Sequence, residues 1–185
     1  MNKLGRDFAV RLKNVPELDP EFLPLEAYIR AFEKTAKKPI AIAVAGGDIV
    51  WRCDTAIHGS PEMEEADVRY AEVIVKFLLW SKGGHQVYIC GDDRIAAHIK
   101  QMFSPDGERS FDYRFMSRVY EAEFKVYSLP LSEAPETKVS SRNIGRHLSG
   151  CRIGFDAGGS DRKVSAVIDG KSVYSEEVVW FPKTQ

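Results

Sequence analysis

The residue types best suited to chemistry fall in one run: Ile153-Gly154-Phe155-Asp156-Ala157-Gly158-Gly159-Ser160-Asp161-Arg162-Lys163, continuing through Val164 to Ile168 and Asp169-Gly170. An apolar strand there delivers the Asp156 carboxylate to the start of a turn. Gly158 and Gly159 remove the side chains that would block close approach to the backbone, while Ser160 and Lys163 offer a hydroxyl and a cation. The set suits a triphosphate with a magnesium ion. Backbone amides and Ser160 would hold the phosphates, Lys163 or Arg162 would neutralise them, and Asp156 would orient metal-bound water. The same residues also fit an ordinary wide hairpin turn, because Asp, Gly and Ser dominate turns.

Other candidate sites are weaker. Residues 165–172 end in Gly170-Lys171-Ser172 like a Walker A loop, but Ser165 stands where the first Gly is required and the following segment reads as strand, so a hairpin turn is expected. Gly46-Gly47-Asp48 has no carboxylate before its glycines and no nearby Lys after them, which leaves a plain turn. His58, His85, His98 and His147 show no ligand or triad spacing to Cys, Asp or Glu, and are expected to be surface or satisfied interior histidines. The acidic stretch from Glu62 to Asp67 reads as a solvated helix start. Trp80, Trp180, Phe181 and the aromatics from Phe111 to Phe115 read as packing residues, with a sugar platform as the alternative. Cys53, Cys90 and Cys151 are odd in number and widely spaced, so reduced core thiols are expected rather than disulfides or a zinc site.

Positioning these residues requires ordered elements, and the composition supports them. The chain has 185 residues, 44% of them hydrophobic, enough for one domain or one domain plus a piece of another. Lys plus Arg at 26 nearly balances Asp plus Glu at 27, so no net field draws the chain to nucleic acid or anionic lipid. Its longest apolar run is broken by Lys76 and falls short of the ~20 residues of a membrane span. The expectation is a soluble cytoplasmic protein without nucleic-acid or membrane partners.

Leu25, Tyr28, Ile29 and Phe32 recur at helical spacing and predict an amphipathic helix over 24–37. Apolar, β-branched runs at 39–44 and 48–56 predict a hairpin. Pro61 opens a helix whose second half is apolar on most sides and which ends at Gly83-Gly84. Residues 86–90 read as a strand, Asp92 as a helix cap, and 94–103 as a helix. Two aromatic-rich segments, 111–115 and 123–129, read as strands, and residues 131–143 have the composition of a linker. Strands are then expected at 151–155, 163–168 and 171–179, joined by a longer connection over 156–162 and a type I′ turn at Asp169-Gly170.

The run from Ile153 to Lys163 resembles the first phosphate loop of the actin, sugar-kinase and heat-shock-70 ATPase superfamily. Within it, the likeness is to the ROK family of repressors, open reading frames and sugar kinases, and extends through Asp169-Gly170 to Glu176-Glu177-Val178. The resemblance over most of the chain is to ROK-like proteins with an added N-terminal α/β region. Position by position, Asp156, Gly158, Gly159, Ser160 and Lys163 fall on the motif. The resemblance implies ATP and magnesium as cofactors, magnesium being held by Asp156 through water, and a nucleotide and a sugar as ligands. Asp161 departs from the motif, standing where such kinases have a basic residue. The family's second phosphate loop, adenosine pocket, catalytic Asp and Cys/His zinc cluster have no counterpart in this sequence. The chain alone is therefore expected to be inactive, with kinase-like activity only in a completed polypeptide.

Taken together, the expected fold class is α/β: an N-terminal α/β domain with a hairpin and mixed sheet over 1–145, followed over 149–185 by the first three antiparallel strands of an actin-like ATPase (ribonuclease H-like) fold. The last strand candidate is followed by six residues. A meander this small must pack on something, so the first domain covers it or the chain is the front part of a longer protein. The competing expectation is a noncatalytic assembly module that pairs copies through exposed edge strands, or an inactive fragment.

Overall fold

The run Ile40-Ala41-Ile42-Ala43-Val44-Ala45 is apolar at every position, and such a run belongs in a strand covered on both faces. It forms the middle of β1 (Lys38–Gly46), where all six residues are buried. The computed structural model of the protein describes residues 8, 10–139 and 148–182. β1 turns at Gly47-Asp48 into β2 (Ile49–Ile57), with Gly46 opposite Ile49 and Gly47 at φ +58°, where a glycine is favoured. On its other side β1 pairs antiparallel with β3 (Gln86–Cys90), which pairs parallel with β4 (Lys125–Leu129). The four-stranded mixed sheet has the order β2-β1-β3-β4.

Alternation along β1 assigns its two faces. Ile40, Ile42 and Val44 enter the main core with α1 (Leu25–Glu33), α2 (Glu64–Lys82) and α3 (Asp93–Met102). Phe32 of α1 stacks on Tyr70 of α2 with ring centroids 3.9 Å apart, and Tyr28 lies beside both. Ala41 faces the other way, against Cys90 and Ala134, with Leu129 and Leu131 packed beside them. The segment after β4 supplies this second cover. Its Lys138 exchanges both backbone hydrogen bonds with Val50, at 2.8 and 2.9 Å, and Arg52 reaches Glu136 at 2.8 Å. Residues 131–139 are therefore a docked strap and not the linker that Ser, Pro, Glu and Thr predict. Composition registers low periodicity, whereas docking depends on Leu131, Ala134 and the edge of β2. The rest of the expected linker, all but the last residue of the boundary expected near 140–148, and His147 lie outside the described residues.

Three further expectations are corrected. Residues 111–115 belong to a helix, α4 (Ser110–Val119), not a strand. Phe111 and Phe115 fall one turn apart and stack with Trp80, while Asp112 and Met116 make the buried stripe. The helical period outweighed aromatic strand preference. The apolar second half of α2 is not buried throughout, as its composition leads one to expect, since Phe77 and Trp80 remain about half exposed. Cys151 is exposed, while Cys90 is buried as expected of a core thiol and Cys53 partly so. His58, by contrast, is a satisfied histidine as expected: β2 ends beside Asp67 of α2 and brings the two side chains together, a contact that no sequence spacing marks.

Residues Met1–Ser140 and Ser141–Gln185 form two compact units. In the second, β5 (Cys151–Ala157), β6 (Asp161–Ile168) and β7 (Lys171–Val179) form an antiparallel sheet in that order. Asp169 and Gly170 take φ of +46° and +80°, the pair of positive values a type I′ turn needs. None of the described residues of this unit is buried.

At the start of α3, Asp92 accepts from the Arg94 and Ile95 amides and from Lys38 Nζ at 2.6 Å. Burial alone would push its carboxyl up, but Lys38, the Ile95 amide and Arg94 together outweigh that and hold it down to about 2. A carboxyl depressed on folding stabilises the protein above its unfolded value of about 4, and that stability is lost as pH falls toward 2. Urea unfolding midpoints measured from pH 5 to pH 2 should therefore fall more steeply in the wild type than in Asp92→Asn; equal slopes would exclude the linkage.

Candidate phosphate loop

The candidate site is built by strand register. β5 and β6 pair through Asp156↔Lys163 and Ala157↔Arg162, leaving only Gly158-Gly159-Ser160 as the connection. The loop is thus shorter than the 156–162 connection expected from sequence, because Asp156, Ala157, Asp161 and Arg162 join the ladder. Direct partners in an antiparallel pair share a face. Asp156, Lys163 and Glu177 consequently form one row across the three strands.

Electrostatics in this row are set by one cation among carboxylates. Lys163 Nζ lies 3.5 Å from Glu177 and 3.8 Å from Asp161. Asp161 most, then Glu177 and more weakly Asp156, raise the Lys163 pKa above its ordinary value. The ammonium stays charged across the working range and exposed to solvent. Among the described residues no group of three or more His, Cys, Asp or Glu side chains is arranged to hold a metal directly. Asp156 stands opposite Lys163 in the ladder, with Ala157 between it and the turn.

Trp180 fixes the loop. Its indole N–H donates to the carbonyls of Gly158 at 2.9 Å and Asp161 at 3.0 Å, and its backbone N–H donates to Ser160 O at 3.0 Å. Three carbonyls that would repel an anion are thereby turned to one residue. The two glycines differ in their reason for being glycine. A Cβ on Gly158 would meet Asp161 O at 2.8 Å, so packing within the turn excludes a side chain there. A Cβ on Gly159 would meet nothing within 4 Å, so the open side of the turn is at Gly159. Ser160 beside it is exposed.

All five residues singled out by sequence, Asp156, Gly158, Gly159, Ser160 and Lys163, therefore lie in or beside one three-residue turn. Sequence reasoning missed Trp180 and Glu177. The signal for Trp180 was present: a β6–β7 register that pairs Asp161 with Val179 carries Trp180 to Ser160. The Walker-like residues Gly170-Lys171-Ser172 form the opposite hairpin turn and the start of β7, as expected. No family model, curated protein or solved structure matches the chain.

Replacing Trp180 with Phe keeps the ring and deletes the indole donor to Gly158 and Asp161. Each hydrogen bond of this kind is worth about 1 kcal/mol. Amide exchange of residues 158–161 is expected to accelerate roughly tenfold in Trp180→Phe, with exchange in β1 unchanged; equal protection in the two proteins would show that the indole does not hold the turn.

Proposed function

We propose that the β5–β6 turn binds the phosphates of Mg-ATP as the first phosphate loop of an actin-like ATPase (ribonuclease H-like) domain of the ROK sugar-kinase type. One observation carries this reading: Trp180 takes up the turn's carbonyls and leaves its glycine side open. An anion is best held by backbone amides in a turn whose acceptors are engaged elsewhere. Ser160 adds a hydroxyl donor and Lys163 a cation. Asp156, opposite Lys163, is placed to accept from a magnesium-bound water. Magnesium, when bound, would supply charge neutralisation to the phosphates.

The same geometry limits the activity. Phosphoryl transfer needs both substrates fixed in a closed cleft. Among its described residues the meander offers the β5–β6 turn and no second wall, so the proposed role of this chain is nucleotide binding. Sugar phosphorylation, or a sugar-sensing derivative of it, would require a polypeptide that also carries the second phosphate loop and the sugar-activating Asp. Asp161, 3.8 Å from Lys163, competes with phosphate for that ammonium and weakens binding.

The alternative is an assembly module. It is favoured by the exposure of Ile153, Phe155, Val173 and Val179 on strands that bury none of their described residues. Isothermal titration with ATP in magnesium separates the readings. Nucleotide binding is expected for the wild type, lost in Asp156→Ala and strengthened about three- to tenfold in Asp161→Asn, the scale of one screened charge contact. No magnesium-dependent binding by the folded chain, together with a concentration-dependent dimer in sedimentation, would replace the phosphate loop with the assembly role.

A further inference from the structure

Outside the phosphate loop, the first unit brings together a hydroxyl, an imidazole and a carboxylate in series. His58 follows β2, Thr35 follows α1, and Asp67 lies in the first turn of α2. His58 Nδ1 is 2.9 Å from Asp67 Oδ1, and His58 Nε2 is 2.9 Å from Thr35 Oγ1. Asp67 is 1% exposed and also accepts from the His58 and Gly59 backbone amides, at 2.9 and 2.7 Å. The ring is held by Phe8, stacked at 5.9 Å, and by Phe32, edge-on at 4.7 Å.

These bonds define the chemistry. A buried carboxylate accepts only, so it keeps the proton of a neutral imidazole on Nδ1 and leaves the Nε2 lone pair toward Thr35. The Thr35 hydroxyl then has two acceptors, Nε2 and Phe32 O at 3.2 Å. When its proton points to Nε2, the hydroxyl has a general base in line and the base has an orienting acid behind it. That is the geometry of an activated nucleophile. Thr35 is exposed, whereas the groups behind it are buried or nearly so.

A cavity of about 740 Å³ opens on Thr35 and His58, with Phe8 and Met63 among its apolar lining residues. Arg11, Arg30 and Lys34 also line it, Arg30 being paired with Glu26, and among the described residues no Asp or Glu lines it. Such a surface favours an anionic group beside the reacting bond.

We propose that Thr35, His58 and Asp67 form a second site, independent of the phosphate loop, that hydrolyses small esters carrying a carboxylate or phosphate. Thr35 Oγ attacks the acyl carbon as its proton passes to His58 Nε2. The new bond to carbon is Thr35 Oγ–C, the broken bond is from carbon to the leaving alkoxide, and the imidazolium returns its proton to that alkoxide. Water then attacks the acyl-threonine, His58 takes the water proton, and Thr35 leaves as the hydroxyl. Asp67 is a positioning residue throughout.

A fluorophosphonate probe tests the nucleophile directly, since attack by Thr35 forms Oγ–P, expels fluoride and passes the hydroxyl proton to His58. Peptide mass spectrometry of the full chain should place one adduct on Thr35. The adduct should persist in Thr35→Ser, vanish in Thr35→Ala, and form about 100-fold or more slowly in His58→Gln. Thr35→Ala removes only an exposed side chain and keeps the His58–Asp67 contact, so the test stands even if His58→Gln fails to fold. p-Nitrophenyl succinate should be hydrolysed faster than p-nitrophenyl acetate, and Thr35→Ala should hydrolyse neither above background. Absence of a Thr35 adduct in the folded wild type, or labelling of Thr35 at an equal rate in folded His58→Gln, would reduce the constellation to a structural clamp. Equal hydrolysis of the two esters would overturn the anionic substrate class.

Discussion

One indole N–H shared between Gly158 O and Asp161 O holds the turn on which the proposed function rests. The meander has no buried residue among those described, so the hydrophobic effect contributes little to the shape of its loop. Hydrogen bonds must do that work instead. Trp180 supplies three of them, two from the ring and one from the backbone, and closes the end of the sheet opposite the Asp169-Gly170 turn. A large aromatic with a donor at its edge suits this place because its ring covers the strands while its N–H satisfies two carbonyls.

The first unit solves the opposite problem, since its core is large and its polar groups must be placed inside it. The buried acidic side chains among the described residues are Asp67, Asp92 and Asp112. Each lies at the cap or first turn of a helix, where the dipole favours negative charge. Each also ties that helix to another element. Asp67 holds the end of β2 through His58 and Gly59, Asp92 holds β1 through Lys38, and Asp112 accepts from the Trp80 indole of α2 at 2.6 Å. The carboxylates thus tether three helix starts to neighbouring elements. In the case of Asp67, the same tether also orients an imidazole toward an exposed hydroxyl.

Much of this was legible in the sequence wherever one local rule decided the outcome. Gly46-Gly47, Asp169-Gly170, Gly83 and the Asp92 cap each bounded an element because few other residues suit those positions. The five loop residues were found because their types and spacing are local to one turn. What failed depended on partners distant in sequence. Phe111 and Phe115 read as strand until Trp80, some thirty residues away, supplied the surface they stack on. Residues 131–139 read as linker until Val50 and Ala41 gave them a docking edge and a face. His58 and Asp67 are nine residues apart and Thr35 is 23 residues from His58, so no motif spacing records a contact created by the end of a hairpin. Trp180 stands between these cases, since register counting reaches it but composition does not.

The central claim concerns which atoms of the turn meet a nucleotide, and backbone amide chemical shifts report on those atoms one by one. In ¹⁵N-labelled chain titrated with Mg-ATP, the account predicts the largest shifts at Gly159 and Ser160, smaller ones at Lys163 and Glu177, and none at the Asp169-Gly170 turn. Shifts absent from residues 158–161, or spread evenly over both ends of the meander, would contradict it.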